Sequence, residues 1–363
     1  MGTLHSWQAA LDAPNLVWAP RLTAGIYAVA RVVNAKTVVV PNICCQAVVY
    51  GIVLAGARPA FCDVDLQSGA LNSAACENLL INTNADMVLH VHPFGFYSDP
   101  HIIYQQCQRH GAFFFEDGAS WFPPTPGYEV HAAGCLGLSF GWQKIFDLGG
   151  GSLLAFGDAK LAEEIAKCLR LLPPGEDMRS EFEAQFYSME ADKREGKSAT
   201  IDFSVFADRF KRHWIGNRQY SVHALSAERI QRERYRRLDI GDTLSDILSG
   251  YPIQLLKRSA LDFPWRLSFL SKDTRFVENM FYRNNFVVSR LYPALNRYFP
   301  NFPHSDELTN SYRFADQIYN VDISANVTND RIRLAARRYL RNALTRRVRV
   351  VVRTLKRRLA PLP

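Results

Sequence analysis

Asp117 closes an apolar run, Phe113-Phe114-Phe115, within Glu116-Asp117-Gly118-Ala119-Ser120. A carboxylate at the carboxyl end of a buried strand faces the crevice where ligands bind in α/β sheets. There it can keep the ring nitrogen of pyridoxal phosphate (PLP) protonated, so that the ring accepts electrons from a carbanion. Taken alone, an aspartate after a strand is more often a helix N-cap. Lys144 follows 27 residues after Asp117, in Leu138-Ser139-Phe140-Gly141-Trp142-Gln143-Lys144 and ahead of Gly149-Gly150-Gly151. A lysine between an apolar strand and a glycine turn can reach inward, over backbone that comes close to a ligand. With its pKa lowered, its amine can form a Schiff base. A lone lysine is nearly always a surface residue, and a glycine run alone fits an ordinary tight turn. The two features in this order are more specific than either.

The elements that must position them alternate. Val38-Val39-Val40, ended by Pro41, reads as a buried strand. Gln46 to Ala55 reads as a helix closed by Gly56. Pro59 to Cys62, Met87 to Val91 and Ala112 to Phe115 read as further strands, with a helix over Ile102 to His110. Strands alternating with helices imply a mainly parallel, doubly wound α/β sheet. Residues Leu171 to Arg212 read as an irregular or helical insertion without clear chemistry, and Ser226 to Leu238 as a charged helix. Leu261 to about Leu340 suits a smaller α+β domain. The expected partition is therefore 1–235, 236–340 and a basic tail over 341–363.

Further motifs extend the pattern: Pro41-Asn42-Ile43-Cys44-Cys45, Gly56-Ala57-Arg58-Pro59-Ala60-Phe61-Cys62-Asp63-Val64-Asp65 and Val91-His92-Pro93-Phe94-Gly95. With the Asp117 and Lys144 segments, their order and spacing resemble the DegT/DnrJ/EryC1/StrS sugar aminotransferase family. These are PLP-dependent enzymes of the aspartate-aminotransferase fold, type I. The resemblance is clear from Ala24 to Phe156 and suggestive beyond.

The resemblance implies that Lys144 carries the Schiff base and shuttles the proton, and that Asp117 pairs with the pyridinium nitrogen. It implies that Ser139 contacts the cofactor phosphate, and that Gly25-Ile26-Tyr27 form a phosphate loop just before a helix at Ala28 to Val33. Asn217, or equally Gln219, matches an asparagine that reaches the cofactor phosphate from a dimer partner. The chain departs from the family at three cofactor-binding positions. Cys45 stands where an aromatic residue stacks on the ring, Cys44 where threonine is usual, and Ser120 where Gln or His approaches the ring hydroxyl. His92 reads either as a residue at the pocket mouth or as a satisfied structural histidine.

The implied activity is transamination of a nucleotide-linked keto-sugar by an amino acid, glutamate foremost, in a homodimer. Two alternatives stay open: other PLP chemistry on this fold, and a non-catalytic binding or regulatory protein. Family dehydratases of deoxysugars carry His in place of the lysine, so Lys144 argues against dehydration.

Composition narrows the setting. Of 43 Lys and Arg, 12 fall between Arg331 and Pro363 without an acid, leaving 31 basic against 35 acidic residues upstream. The body is thus mildly acidic, and the overall charge of +8 gives no reason to expect nucleic-acid binding. Leu344, Val348, Val351, Val352, Leu355 and Leu359 share one helical face among arginines. Such a tail could touch an anionic membrane or pack on its own body. The seven cysteines include no CxxC pair. No His/Cys cluster has zinc spacing, so no metal is expected. Met1 to Ala10 lacks a signal-peptide layout and no long apolar span occurs, so the expected location is cytoplasmic.

Overall fold

The computed structural model describes residues 11, 13–123, 128–132, 134–194, 203–218, 225–251, 253–324 and 327–341. Its first half is a seven-stranded sheet built from β1 (Asn15–Ala19), β2 (Thr37–Pro41), β3 (Arg58–Cys62), β4 (Met87–Val91), β5 (Phe113–Gly118), β6 (Gly134–Ser139) and β7 (Ser152–Phe156). The spatial order is β1-β7-β6-β5-β4-β2-β3. Only β7 runs against the rest, pairing antiparallel with β1 and β6. The sheet is therefore mainly parallel, as the sequence alternation implies.

Two-residue periodicity divides the sheet's faces. Val38, Val40 and Phe115 pack with α1 (Leu22–Val32), α2 (Gln46–Leu54) and α5 (Ala159–Arg170). Val39, Val88 and Phe114 pack with α3 (Ser73–Thr83) and α4 (His101–His110) on the other side. Burial on both faces explains why β2 and β4 read as continuous apolar runs. The same alternation places Asp117 on the α1 face with Phe115, and Glu116 on the opposite face with Phe114.

The insertion forms helices α6 (Arg179–Arg194), α7 (Phe203–Arg209) and α8 (Lys211–Ile215), whose Phe182, Phe206 and Trp214 cover the α1–α2 side. Next comes α9 (Ala227–Leu248), continuous through residue 235. The expected boundary at 235/236 therefore falls inside a helix rather than in a linker. A second, antiparallel sheet follows, ordered β10 (Val288–Ser289), β11 (Ile318–Asp322), β9 (Arg266–Ser271), β8 (Ile253–Leu255). It packs on α9, on α10 (Thr274–Met280) and on a helix over 329–341. The helix α11 (Thr309–Gln317) precedes β11.

The two sheets are not separate in sequence. Residues 294–305 leave the small domain and lie along β2 and β3. Leu295 N–H donates to the Asn42 carbonyl, Phe61 N–H to that of Pro303, and Ser305 N–H to that of Phe61. Leu295 and Phe299 belong to the large domain's core. No described helix is long and apolar enough to cross a membrane. The amphipathic stripe from Leu344 to Leu359 lies outside the described residues.

Candidate active site

The carboxyl ends of β2, β5 and β6 open on a cavity of about 510 Å³. Asp117 comes to its wall from β5, Ser139 from the end of β6, Cys45 from the N-cap of α2, and Lys144 from the β6–β7 connection. That connection is built around one carbonyl: Phe140 accepts N–H bonds from Leu148 and Gly150. Gly149, Gly150 and Gly151 have φ of 81°, 137° and 84°, so the turn requires glycine there.

Lys144 and Asp117 are close enough to interact electrostatically. Burial lowers the Lys144 pKa, opposed by Cys45 and Asp117, while Arg266 adds to the lowering. Burial raises the Asp117 pKa, opposed by the Ala119 N–H, Lys144 and His92. The Ala119 N–H reaches Asp117 Oδ1 at 2.7 Å. Among the described residues no helix follows directly on β5, so this carboxylate is not a helix cap. Burial likewise raises the Cys45 thiol, which Lys144 opposes.

Glu116, on the other face, explains His92. His92 is buried, and its Nε2 lies 2.7 Å from Glu116 Oε1. Ser98 N–H donates to His92 Nδ1, so the ring proton sits on Nε2 and is given to Glu116. Tyr128 donates to the same oxygen at 2.5 Å. Burial would raise the Glu116 pKa, but the bonds from His92 and Tyr128 prevail and it is lowered. His92 is therefore a satisfied structural histidine and not a residue at the pocket mouth.

Three sequence expectations change in position. Gly25, Ile26 and Tyr27 do not precede a helix at Ala28; they lie within α1, which begins at Leu22. The Gly25 N–H is used by the Arg21 carbonyl, so it is not free for a phosphate. The free N–H groups at this helix start belong to the turn at Leu22 and Thr23, which line the cavity with Ile26. Ser120 is buried but off the cavity wall, hydrogen-bonded to Tyr292. Asn217 is exposed in its own chain, its backbone paired with Pro173 and Gly175. The alternative, Gln219, lies outside the described residues.

The structure also supplies residues that no local motif announces. Arg21 holds the N-cap position of α1, Asp177 and Arg179 come from the insertion, and Trp214 and Arg218 from the residues just after it. Trp265 and Arg266, at the start of β9, hold the lysine turn from the small domain. Trp265 Nε1 donates to the Gln143 carbonyl, and Arg266 Nη2 reaches Gln143 Oε1 at 3.3 Å. Lys144 Nζ stands 5.0 Å from the Trp265 ring centre. Gln143 takes a positive φ of 63° to make this turn. Among the described residues, no His, Cys, Asp and Glu group is arranged to hold a metal.

These residues fit PLP. The cavity carries a desolvated amine and a buried carboxylate facing one volume. It also has a helix N-terminus for a phosphate, and the Nε atoms of Arg21 and Arg218 are buried without a partner among the described residues.

No curated protein matches the sequence. The fold is similar to several solved structures. The DegT DnrJ EryC1 StrS aminotransferase from Brucella abortus aligns at TM-score 0.70 and 17% identity, over 92% of this chain and 88% of that one. The sugar aminotransferase CalS13 from Micromonospora echinospora aligns at TM-score 0.69 and 14% identity, over 93% and 89%. DesI, solved in the presence of its TDP-sugar product, aligns at TM-score 0.68 and 16% identity, over 97% and 86%. The sequence pattern of the DegT/DnrJ/EryC1/StrS aminotransferase family matches residues 22–334. The chain belongs to that family and is a PLP-dependent aminotransferase of fold type I.

Proposed function

We propose that the protein moves an amino group from an amino acid, with glutamate as donor, to a keto-sugar carried on a nucleotide. The observation that carries this reading is the pairing of Lys144 with Asp117 across one cavity, in a chain of this family. DesI, similar in fold, was solved with a TDP-sugar product, which supports the substrate class.

When bound, PLP supplies an electron sink for the carbon that loses its proton. Asp117 would hold a proton on the ring nitrogen, whose positive charge would offset the burial that raises the Asp117 pKa. Lys144 Nζ, kept short of full basicity by burial, would take a proton from the donor's α-carbon in one half-reaction and give a proton to the sugar carbon in the other. The Leu22 and Thr23 N–H groups with Ser139, all on the cavity wall, would hold the phosphate. Cys45, a small side chain on the cavity wall, would give the cofactor ring less cover than an aromatic residue there. Trp265 and Arg266 fix the Gln143 carbonyl and amide, and so the direction in which Lys144 points.

A homodimer belongs to this reading, with Asn217 of each subunit serving the other's phosphate. A cytoplasmic setting also belongs to it, supported by seven free thiols, all buried except those of Cys45 and Cys168. So does weak contact of the basic tail with an anionic membrane.

The test is a screen of nucleotide keto-sugars with 15N-labelled glutamate, read by mass spectrometry. The reading expects label in a sugar amine and one 2-oxoglutarate per transfer. Release of ammonia, or label only in a non-sugar product, overturns it.

A further inference from the structure

Lys144 Nζ has to be held in two situations, on the cofactor and free of it. A base that has given up its place to the donor's amine must wait within reach of the carbon it serves. Among the described residues this amine makes no hydrogen bond. It faces an indole instead, 5.0 Å from the centre of the Trp265 ring. An aromatic face attracts an ammonium through its quadrupole and packs equally well against a neutral amine. The ring is held without help from the lysine. Trp265 is buried, its N–H donates to the Phe94 carbonyl at 2.8 Å, and its carbonyl accepts from Arg237 Nη1 at 2.8 Å. Its Nε1 donates to the Gln143 carbonyl, which sets the indole beside the residue before Lys144.

The same ring carries a second cation. The Arg266 guanidinium lies 4.6 Å from its centre and reaches Gln143 Oε1 at 3.3 Å. Arg266 is buried, and its Nε has no partner among the described residues. Its cross-strand neighbour Asp322 is turned to the Ser324 N–H. A guanidinium keeps its charge when buried, whereas a buried lysine gives up its proton readily. Two cations that share one ring in a desolvated place repel, so the lysine is the one that yields. The other groups facing the amine are Cys45, at the N-cap of α2, and Asp117, on β5. Burial raises the Cys45 pKa, so the thiol stays neutral and adds no charge. Asp117 is given to the cofactor's ring nitrogen in the proposed transfer, which leaves Arg266 to decide the charge of the waiting amine.

We propose that the Trp265 face is the resting place of the Lys144 amine while it is released from the cofactor, and that Arg266 on the same ring keeps the waiting amine free of a proton. Once the amine has taken the donor's proton, the indole face holds the ammonium until the proton is handed on. This rests on Lys144 being the base of the proposed amino transfer, and it adds two positioning residues that act through that lysine.

The experiment uses PLP-loaded protein with excess glutamate and no sugar, so that Lys144 is released. Competitive acetylation across a pH series, read on the Lys144 peptide by mass spectrometry, gives the midpoint of its amine. Arg266→Gln should raise that midpoint by about one pH unit, and the pH limb of the half-reaction with glutamate should move up with it. Arg266→Lys restores a positive charge and should bring the midpoint most of the way back. Trp265→Leu should lower the midpoint by about half a pH unit, because the ammonium loses its ring, while Trp265→Phe should hold it. All variants are compared at full cofactor loading, read from the visible band, which separates these effects from misfolding. A midpoint unmoved in Arg266→Gln overturns the role of Arg266. So does a raised KM for glutamate with an unmoved pH limb, since the arginine would then hold the donor. A midpoint unmoved in Trp265→Leu overturns the resting place. Protein that never loads PLP, or does not react with glutamate, fails the aminotransferase reading instead, so the two failures are distinct.

Discussion

At the residue scale, burial pushes Lys144 and Asp117 toward their neutral forms, and each opposes that shift in the other. Removing either should do more than delete one contact. Lys144→Ala should lower the rate of amino transfer by at least about a hundredfold, the range of a lost general acid–base group. It should keep some affinity for PLP through the phosphate contacts. Asp117→Ala should lose rate comparably, because nothing else on the α1 face replaces its carboxylate at the ring nitrogen. Near-unaltered rates in either variant would remove the mechanism.

A second residue prediction concerns pH. His90 is buried, with Nε2 on the Ser98 carbonyl at 3.2 Å and Nδ1 without a partner among the described residues. Burial and then His92 lower its pKa from 6.5 to about 4. The unfolded chain gains this proton as pH falls through 6.5, while the folded chain does not until about 4. Stability should therefore fall as pH drops across that window and be unaffected by His90 above it. The share of His90 is on the order of 3 kcal/mol. Thermal unfolding of His90→Gln should show a flatter profile between these pH values, and an unchanged slope would contradict the assignment. Asp117 and Lys144 were legible in the sequence because a strand end and a glycine turn flank them. Arg21, Arg179, Trp265 and Tyr292 were not, because they reach the site from distant segments that carry no local signature.

At the scale of elements, β2, β3 and β4 were legible almost residue by residue, since burial leaves continuous apolar runs, whereas β1 and the strands of the second sheet were given no ranges. The start of α1 was not. Gly25 reads locally as a turn, but it sits inside the helix for packing: a Cβ there would come 2.9 Å from Leu154 Cδ2. Gly95 has a stricter reason. Its φ is +88°, and a Cβ would come 2.2 Å from both the Phe263 carbonyl oxygen and the Trp265 nitrogen. That contact is backbone, held by Trp265 N–H to the Phe94 carbonyl and Phe263 N–H to the Gly95 carbonyl. Gly95→Ala should therefore cost more than about 2 kcal/mol. It should also lower PLP binding, because Trp265 positions the lysine turn. Gly111 shares a positive φ of 67°, yet meets nothing within 4 Å. Gly111→Ala should cost about 1 kcal/mol and leave PLP binding alone. Equal effects in the two variants would contradict this account of Gly95.

At the scale of the whole molecule, a linear division into domains misses the return of residues 294–305 onto β2 and β3. Composition shows no break there, because the segment mixes Phe, Tyr and Pro with polar residues as its surroundings do. The same return brings Tyr292 to Ser120 and ties the small sheet to the cofactor side of the large one. The charge split was legible, and it gives a separable prediction: truncation after Arg341 should spare amino transfer and abolish salt-sensitive binding to anionic vesicles. Vesicle binding that survives truncation would place the basic contact elsewhere. The central claim is that Lys144 is the amine that holds PLP. Borohydride reduction of the yellow protein, followed by proteolysis and mass spectrometry, tests it most directly. The account predicts a single modified peptide carrying Lys144, and cofactor fixed to any other peptide, or to none, would contradict it.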